Sequence, residues 1–166
     1  SSILIASITP YFLEKGNVWF QENLEKLLEA KRTQAFFQDN VVFLEKDQEY
    51  SVSEFLRKLD EFGYEKVLDV ESIGEFDHRG GIIDVFPVNS NRAIRIEFVG
   101  NRVDSIQELN IQIEEEQKAK DILKKRLKSQ SANWRTDLHR LKEGDYIVHL
   151  DHGVGKFAGF AQMPRC

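Results

Sequence analysis

Between Phe76 and Val99 the chain alternates apolar and polar residues with a period of two, and this pattern predicts two strands of a hairpin. On the second strand Ile94, Ile96 and Phe98 share one face, expected to be core, while Arg95, Glu97 and Val99 share the other. Gly80 and Gly81 precede the first strand, where a backbone without Cβ can bulge or turn sharply. Gly100-Asn101 then reads as the turn into a third strand, Arg102 to Ile106. With one more strand near 66 to 70, the stretch from about 65 to 108 is a β meander. Upstream, residues 3 to 7 read as a short buried strand, Pro10 to Leu13 as a helical turn, and Val41 to Leu44 as a strand. Phe20, Leu24, Leu27 and Leu28 recur at helical spacing and predict an amphipathic helix over 20 to 32. Ser51 with Glu54 forms a capping box before the stripe Val52, Phe55, Leu56, Leu59 and Phe62, so 51 to 62 is a helix that Gly63 is placed to end.

From residue 112 the pattern thins. Glu114, Glu115 and Glu116 open a helix whose later turns carry Lys118, Lys120, Lys124, Lys125, Arg126 and Lys128, the order that suits the helix macrodipole. Its apolar stripe (Ala119, Ile122, Leu123, Leu127) is narrow, which predicts a solvated linker helix that packs lightly; the competing reading is a basic ridge on phosphate. A Ser-Gln-Ser-Ala hinge follows at 129 to 132. Beyond Trp134 a second β unit is expected: a turn at Gly144-Asp145, a strand over Tyr146 to Leu150, and another around Lys156 to Phe160. Gly153, Gly155 and Gly159 suggest a tightly curved small barrel.

Bulk composition narrows the function classes. The 166 residues are 41% hydrophobic and 31% charged, enough for a real core, and the net charge of -5 supplies no global field toward nucleic acid or membrane. The single cysteine, Cys166, permits no disulfide framework and no cysteine metal site. No apolar run reaches membrane-span length and nothing resembles a signal peptide, so a cytoplasmic location is expected. The chain opens as a strand under way, without an initiator Met, and stops after a glycine-rich strand pair has begun; it is expected to be a piece of something larger.

Catalytic motifs fail on inspection. Gly153-Val-Gly-Lys156 has Leu150 and Phe157 where a phosphate loop needs glycine and a hydroxyl residue. His149 and His152 sit on a strand and a turn, with no third metal ligand near. Asp84 and Glu97 could be drawn as a carboxylate pair, but no nucleophile or base partner accompanies them. What remains is a surface suited to a partner: Arg79 at the mouth of the hairpin joins Arg95 in one basic spot, beside Glu97 and Val99.

These residues carry a resemblance. The run Gly74-Glu-Phe-x-x-Arg-Gly-Gly-Ile-Ile-Asp-Val-Phe-Pro, then Arg95-Ile-Glu-Phe and Val103-Asp-Ser-Ile, resembles the bacterial transcription-repair coupling factors, in a module shared with the excinuclease protein UvrB. Trp134-x-Thr-Asp-Leu-x-x-Leu-x-x-Gly-Asp-Tyr-Ile-Val-His-Leu-Asp-His-Gly-Val-Gly-Lys-Phe-x-Gly is similar to the start of those factors' RNA-polymerase-interacting domain, which UvrB lacks. The resemblance implies an α+β fold: a small mixed module with an antiparallel meander over 1–110, a linker helix and hinge over 111–133, and a truncated SH3-like, CarD-like barrel over 134–166. It implies that the first part docks the excinuclease protein UvrA and that the second docks the RNA polymerase β subunit. Nothing in it implies catalysis or a cofactor in this chain; ATP and Mg, and contact with DNA, are expected only through the motor of a full-length protein. By position, Arg79 and Arg95 match arginines implicated in contacting UvrA, with Glu97 on the same face and Val99 where an aromatic is common. Met163 is the expected polymerase contact. The opposing expectation for Arg79 and Arg95 is an internal salt bridge with Asp77, Asp84 or Glu97. Rival classes are a CarD-type transcription regulator and an accessory part of a divergent helicase.

Overall fold

A computed structural model describes residues 1–130 and two short strands at 146–149 and 153–156. The architecture is α+β. Its elements are β1 (Ser2–Ala6), α1 (Pro10–Leu13), α2 (Asn17–Glu22), α3 (Leu24–Thr33), α4 (Ala35–Asn40), β2 (Val41–Glu45), α5 (Val52–Glu61), β3 (Glu65–Lys66), β4 (Glu75–Arg79), β5 (Ile82–Val85), β6 (Arg92–Val99), β7 (Arg102–Gln112), α6 (Glu116–Gln130), β8 (Tyr146–His149) and β9 (Gly153–Lys156). β1 and β2 pair antiparallel; β3 to β7 form one sheet in chain order, antiparallel except for the β3–β4 pair; β8 and β9 pair antiparallel.

The predicted hairpin is larger than its pattern suggested. Residues 75–79 are a strand too, so Gly80-Gly81 is the turn between β4 and β5. Gly80 has φ +60°, and a Cβ on Gly81 would lie 2.5 Å from the Phe98 carbonyl oxygen, so only glycine fits where β6 passes. The alternation on β6 holds: Ile94, Ile96 and Phe98 are buried, whereas Arg95 and Glu97 are half-buried and Val99 is exposed. The strand expected near 66 to 70 shrinks to β3, and the third strand of the meander runs on to Gln112.

α5 bears out the N-cap half of the capping box, since Ser51 Oγ accepts from the Glu54 amide at 3.4 Å, and Gly63 follows at φ +86°. Its Phe55 is fully buried, with its ring 5.9 Å from that of Phe98, which joins the helix to the apolar face of the sheet. The single helix expected over 20 to 32 is two helices. Asn23, at φ -110° and ψ 13°, leaves the helical region, and both its amide and its Nδ2 donate to the Trp19 carbonyl, at 3.0 and 2.8 Å, which caps α2 before α3 begins. Only Phe20 and Leu27 of the predicted stripe are fully withdrawn from water; Leu24 stays exposed.

The β1–β2 pair is tied to the segments flanking the five-stranded sheet by polar side chains. Asn89 acts as a surrogate strand against β1: its Oδ1 accepts from the Ala6 amide at 3.1 Å and its Nδ2 donates to the Leu4 carbonyl at 2.7 Å. Buried Tyr64 donates to the Ala6 carbonyl at 2.9 Å and accepts from the Val88 amide at 3.0 Å. These four bonds satisfy both side chains and the backbone groups they meet.

α6 does not behave as a solvated linker in its first half. Lys120 is buried, donating to Glu116 Oε1 at 2.7 Å and to the Lys15 carbonyl at 2.6 Å, while Glu116 Oε1 also accepts from the Asn17 amide at 3.1 Å. Leu123 packs over Gly74, where a Cβ would come within 3.2 Å of it. The residues accordingly fall into two compact units, Ser1–Lys125 and Arg126–Cys166, the first running past residue 110. In the second, the glycine-rich segment is itself a strand, β9, beginning at Gly153 rather than near Lys156. Met163, Trp134 and the turns at 144–145 and 151–152 lie outside the described residues.

Candidate functional site

Strand pairing brings the expected residues onto one face of the five-stranded sheet. Asp77 on β4 stands opposite Asp84 on β5, which stands opposite Arg95 on β6, which stands opposite Gln107 on β7. One row further along, Arg79 faces Ile82, Ile82 faces Glu97, and Glu97 faces Ser105. Period-two alternation therefore puts both arginines, three carboxylates and Ile82 on the same surface.

The surface dips into an open recess of about 340 Å³ with Asp77, Arg79, Asp84 and Arg95 in its floor. One wall comes from Asp69 and Val70 in the β3–β4 connection. The other is a bulge on β7, where Leu109, Asn110 and Ile111 stand against the single residue Ala93 and fold over the floor. Arg79 and Arg95 thus share one recess, as expected. They do not form a basic spot.

Each guanidinium is already occupied. Arg95 donates through Nε and Nη2 to the two oxygens of Asp84, both at 2.8 Å, in the bidentate geometry that makes such pairs strong. The hydrogen bonds and charge of Asp84 hold the Arg95 pKa above its usual value, so the group is a permanent cation. Arg79 places Nε 2.9 Å from Asp77 Oδ2 and directs Nη2 to the Leu68 carbonyl at 3.0 Å and to Asp69 at 3.3 Å. Asp77 also accepts from the His78 amide at 2.8 Å, which holds it in place at the strand's edge of burial. The expectation of internal salt bridges with Asp77 and Asp84 is therefore met, whereas Glu97 serves neither arginine. The drawn pairing of Asp84 with Glu97 is not made either: Glu97 faces Ile82 and Ser105.

Around this floor three apolar side chains are open to water: Leu68, 85% exposed, Val99, 60%, and Ile82, 39%. Leu68 and Ile82 were not singled out from the pattern, although Ile82 could have been. It shares parity with Asp84 on β5, so an apolar residue there falls on the polar face. Leu68, Asp69 and the β7 wall carry no such signal, because loop and bulge positions have no period. Among the described residues no cluster of His, Cys, Asp or Glu could hold a metal ion, and no helix is long and apolar enough to cross a membrane.

Residues 42–126, which contain the whole sheet and its recess, match the model of the UvrB interaction domain family, just over half of the sequence. The chain belongs to that family. Residues 141–165 match a second one, the CarD-like/TRCF RID domain. Transcription-repair-coupling factors are among its relatives: that of Staphylococcus aureus strain MSSA476 is 39% identical over 85 residues, covering 51% of this chain, and that of Staphylococcus haemolyticus strain JCSC1435 is 38% identical over 76 residues, covering 46%. The aligned region spans only 7% and 6% of those two relatives. A UvrB interaction domain followed by a CarD-like/TRCF RID segment identifies the chain with the transcription-repair coupling factors.

Proposed function

We propose that this chain is a non-catalytic recruitment part of a transcription-repair coupling factor, docking the excinuclease protein UvrA through the face that carries Arg79 and Arg95 and the RNA polymerase β subunit through its second unit. The observation that carries the reading is the coincidence of the UvrB interaction domain with the sheet that builds the recess. Both matched segments are interaction domains rather than motor domains, which supports binding as the task. Binding of ATP, Mg or DNA belongs, on this reading, to the remainder of a longer protein. Met163 is the proposed contact on the polymerase side.

The occupied guanidiniums set how the first contact would work. Arg95 has spent Nε and Nη2 on Asp84, so no partner carboxylate can take that fork without displacing Asp84. Arg95 and Arg79 would instead offer a partner their remaining N–H groups from a rigid, pre-paired position, with little side-chain entropy left to lose. A CarD-type regulator would account for the second segment alone and leaves the UvrB interaction domain without a use.

The test is a direct binding measurement of the chain against purified UvrA and, separately, the polymerase β subunit. The Arg79→Ala, Arg95→Ala double variant is expected to lose at least about tenfold in affinity for UvrA and none for the β subunit. A folded wild-type chain that binds no UvrA would overturn the first half of the reading.

A further inference from the structure

The recess contains more charge than it can use for attraction. Its two guanidiniums are matched by Asp69, Asp77 and Asp84, and the two shortest pairs, at 2.8 and 2.9 Å, are internal. A partner approaching this floor meets cations already neutralised, so little Coulombic gain is left for it, and breaking the Arg95–Asp84 pair would strand a carboxylate that is only 17% exposed. Affinity beyond what the spare arginine N–H groups supply must come from elsewhere on the same face.

Ile82 lies on that face, on the central strand of the sheet and beside the Gly80-Gly81 turn. Cross-strand pairing sets it between Arg79 and Glu97, one row from the Asp84–Arg95 pair. Val99 lies two residues beyond Glu97 on the same side of β6, and the Leu68 carbonyl is bonded to Arg79, which brings both apolar neighbours to the edge of the arginine pairs. An apolar side chain bordered by ion pairs that are satisfied before binding is an arrangement in which a desolvated contact can carry the energy. The rim does not need to be rebuilt when the partner arrives.

We infer that Ile82, flanked by Val99 and Leu68, is the anchor of this docking surface. The inferred occupant is UvrA, presenting an apolar side chain that seats on Ile82 and acceptor groups, such as carbonyl oxygens, that take the spare arginine N–H groups. This rests on the docking reading above and adds the source of its affinity.

The experiment compares binding of purified UvrA by the wild-type chain, Ile82→Lys, Ile82→Thr, Ile82→Leu and the remote control Ile122→Lys, with thermal unfolding of each chain recorded alongside. Ile82→Thr keeps the β-branched shape, so it decides the matter should the lysine variant fail to fold. The expected result is a loss of about tenfold or more for Ile82→Thr and Ile82→Lys, retention by Ile82→Leu, and no change for Ile122→Lys. Wild-type affinity in Ile82→Thr would overturn the anchor while leaving the docking reading intact. Equal losses in Ile82→Thr and Ile122→Lys would overturn it too, because the apolar contribution would then be generic. Absence of binding by the wild-type chain would remove the docking reading, and the anchor with it.

Discussion

The two faces of the five-stranded sheet are built on the same strands and held by different physics. Beneath it, Ile83, Val85, Ile94, Ile96 and Phe98 have almost no exposure to water, and Phe98 packs against Phe55 of α5. Above it, Arg79 with Asp77 and Arg95 with Asp84 form ion pairs whose side chains are 12 to 69% exposed, around side chains that remain open to solvent. The lower face makes its stability by removing apolar area from water, at roughly 25 cal/mol per Å². The upper face contributes little, because exposed pairs gain only modest Coulomb energy and lose side-chain freedom. A fold can therefore leave one side of a strand free for recognition while the other side holds it in place.

Substitutions on adjacent residues of β6 turn this contrast into numbers. Ile96→Ala is expected to lower unfolding stability by about 2–5 kcal/mol, the cost of a cavity in a packed core, read from denaturant midpoints. Tyr64→Phe should cost about 1–3 kcal/mol, since it leaves the Ala6 carbonyl and the Val88 amide without their buried partner. That residue also sets an alkaline limit. Burial raises the Tyr64 pKa above the ordinary phenol value of 10.0, so above that value the unfolded chain has released a proton that the folded chain still holds. Stability should then fall with rising pH, by up to about 1.4 kcal/mol per unit from this group, and the Phe variant should lose that part of the slope. Half-buried Tyr50 is shifted the same way, chiefly by desolvation, and stays in both proteins as the internal reference.

The upper face should yield smaller changes. Arg95→Ala is expected to cost about 1 kcal/mol, much of it from leaving the Asp84 carboxylate without its bidentate partner. Glu97→Ala, which touches neither arginine pair, should fall within about 0.5 kcal/mol of wild type. If Glu97→Ala cost as much as Ile96→Ala, the division of labour between the faces would be wrong.

Much of the fold is legible in the residue pattern alone. Period two on β6 placed Ile94, Ile96 and Phe98 inside, and the Ser51–Glu54 cap with Gly63 bounded α5 to within a residue or so. The misreadings share a cause. The break at Asn23 and the burial of Lys120 depend on a local side-chain hydrogen bond and on a partner distant in the chain, neither of which has a period. Lys120 in particular reads as a solvent-facing residue in a basic run, and the Lys15 carbonyl, 105 residues away, together with Glu116 makes its burial tolerable.

The site divides along the same line. Local pattern is enough to assign Arg95, Glu97 and Val99 to one side of the hairpin and the hydrophobic set to the other, because side-chain direction in a strand follows from backbone geometry alone, whereas Arg79, read as the hairpin's mouth, joins that side through β4. Whether those arginines were free or paired was decided by register: Asp84 falls opposite Arg95 because β6 aligns Ile94 with Val85, and Asp77 and Arg79 join that face because Gly80-Gly81 turns the chain in two residues between β4 and β5. The recess walls likewise depend on a bulge in β7 and on a loop, neither of which has a period to read. Charge on a strand is thus local information, but its neutralisation is a property of which strands meet and where.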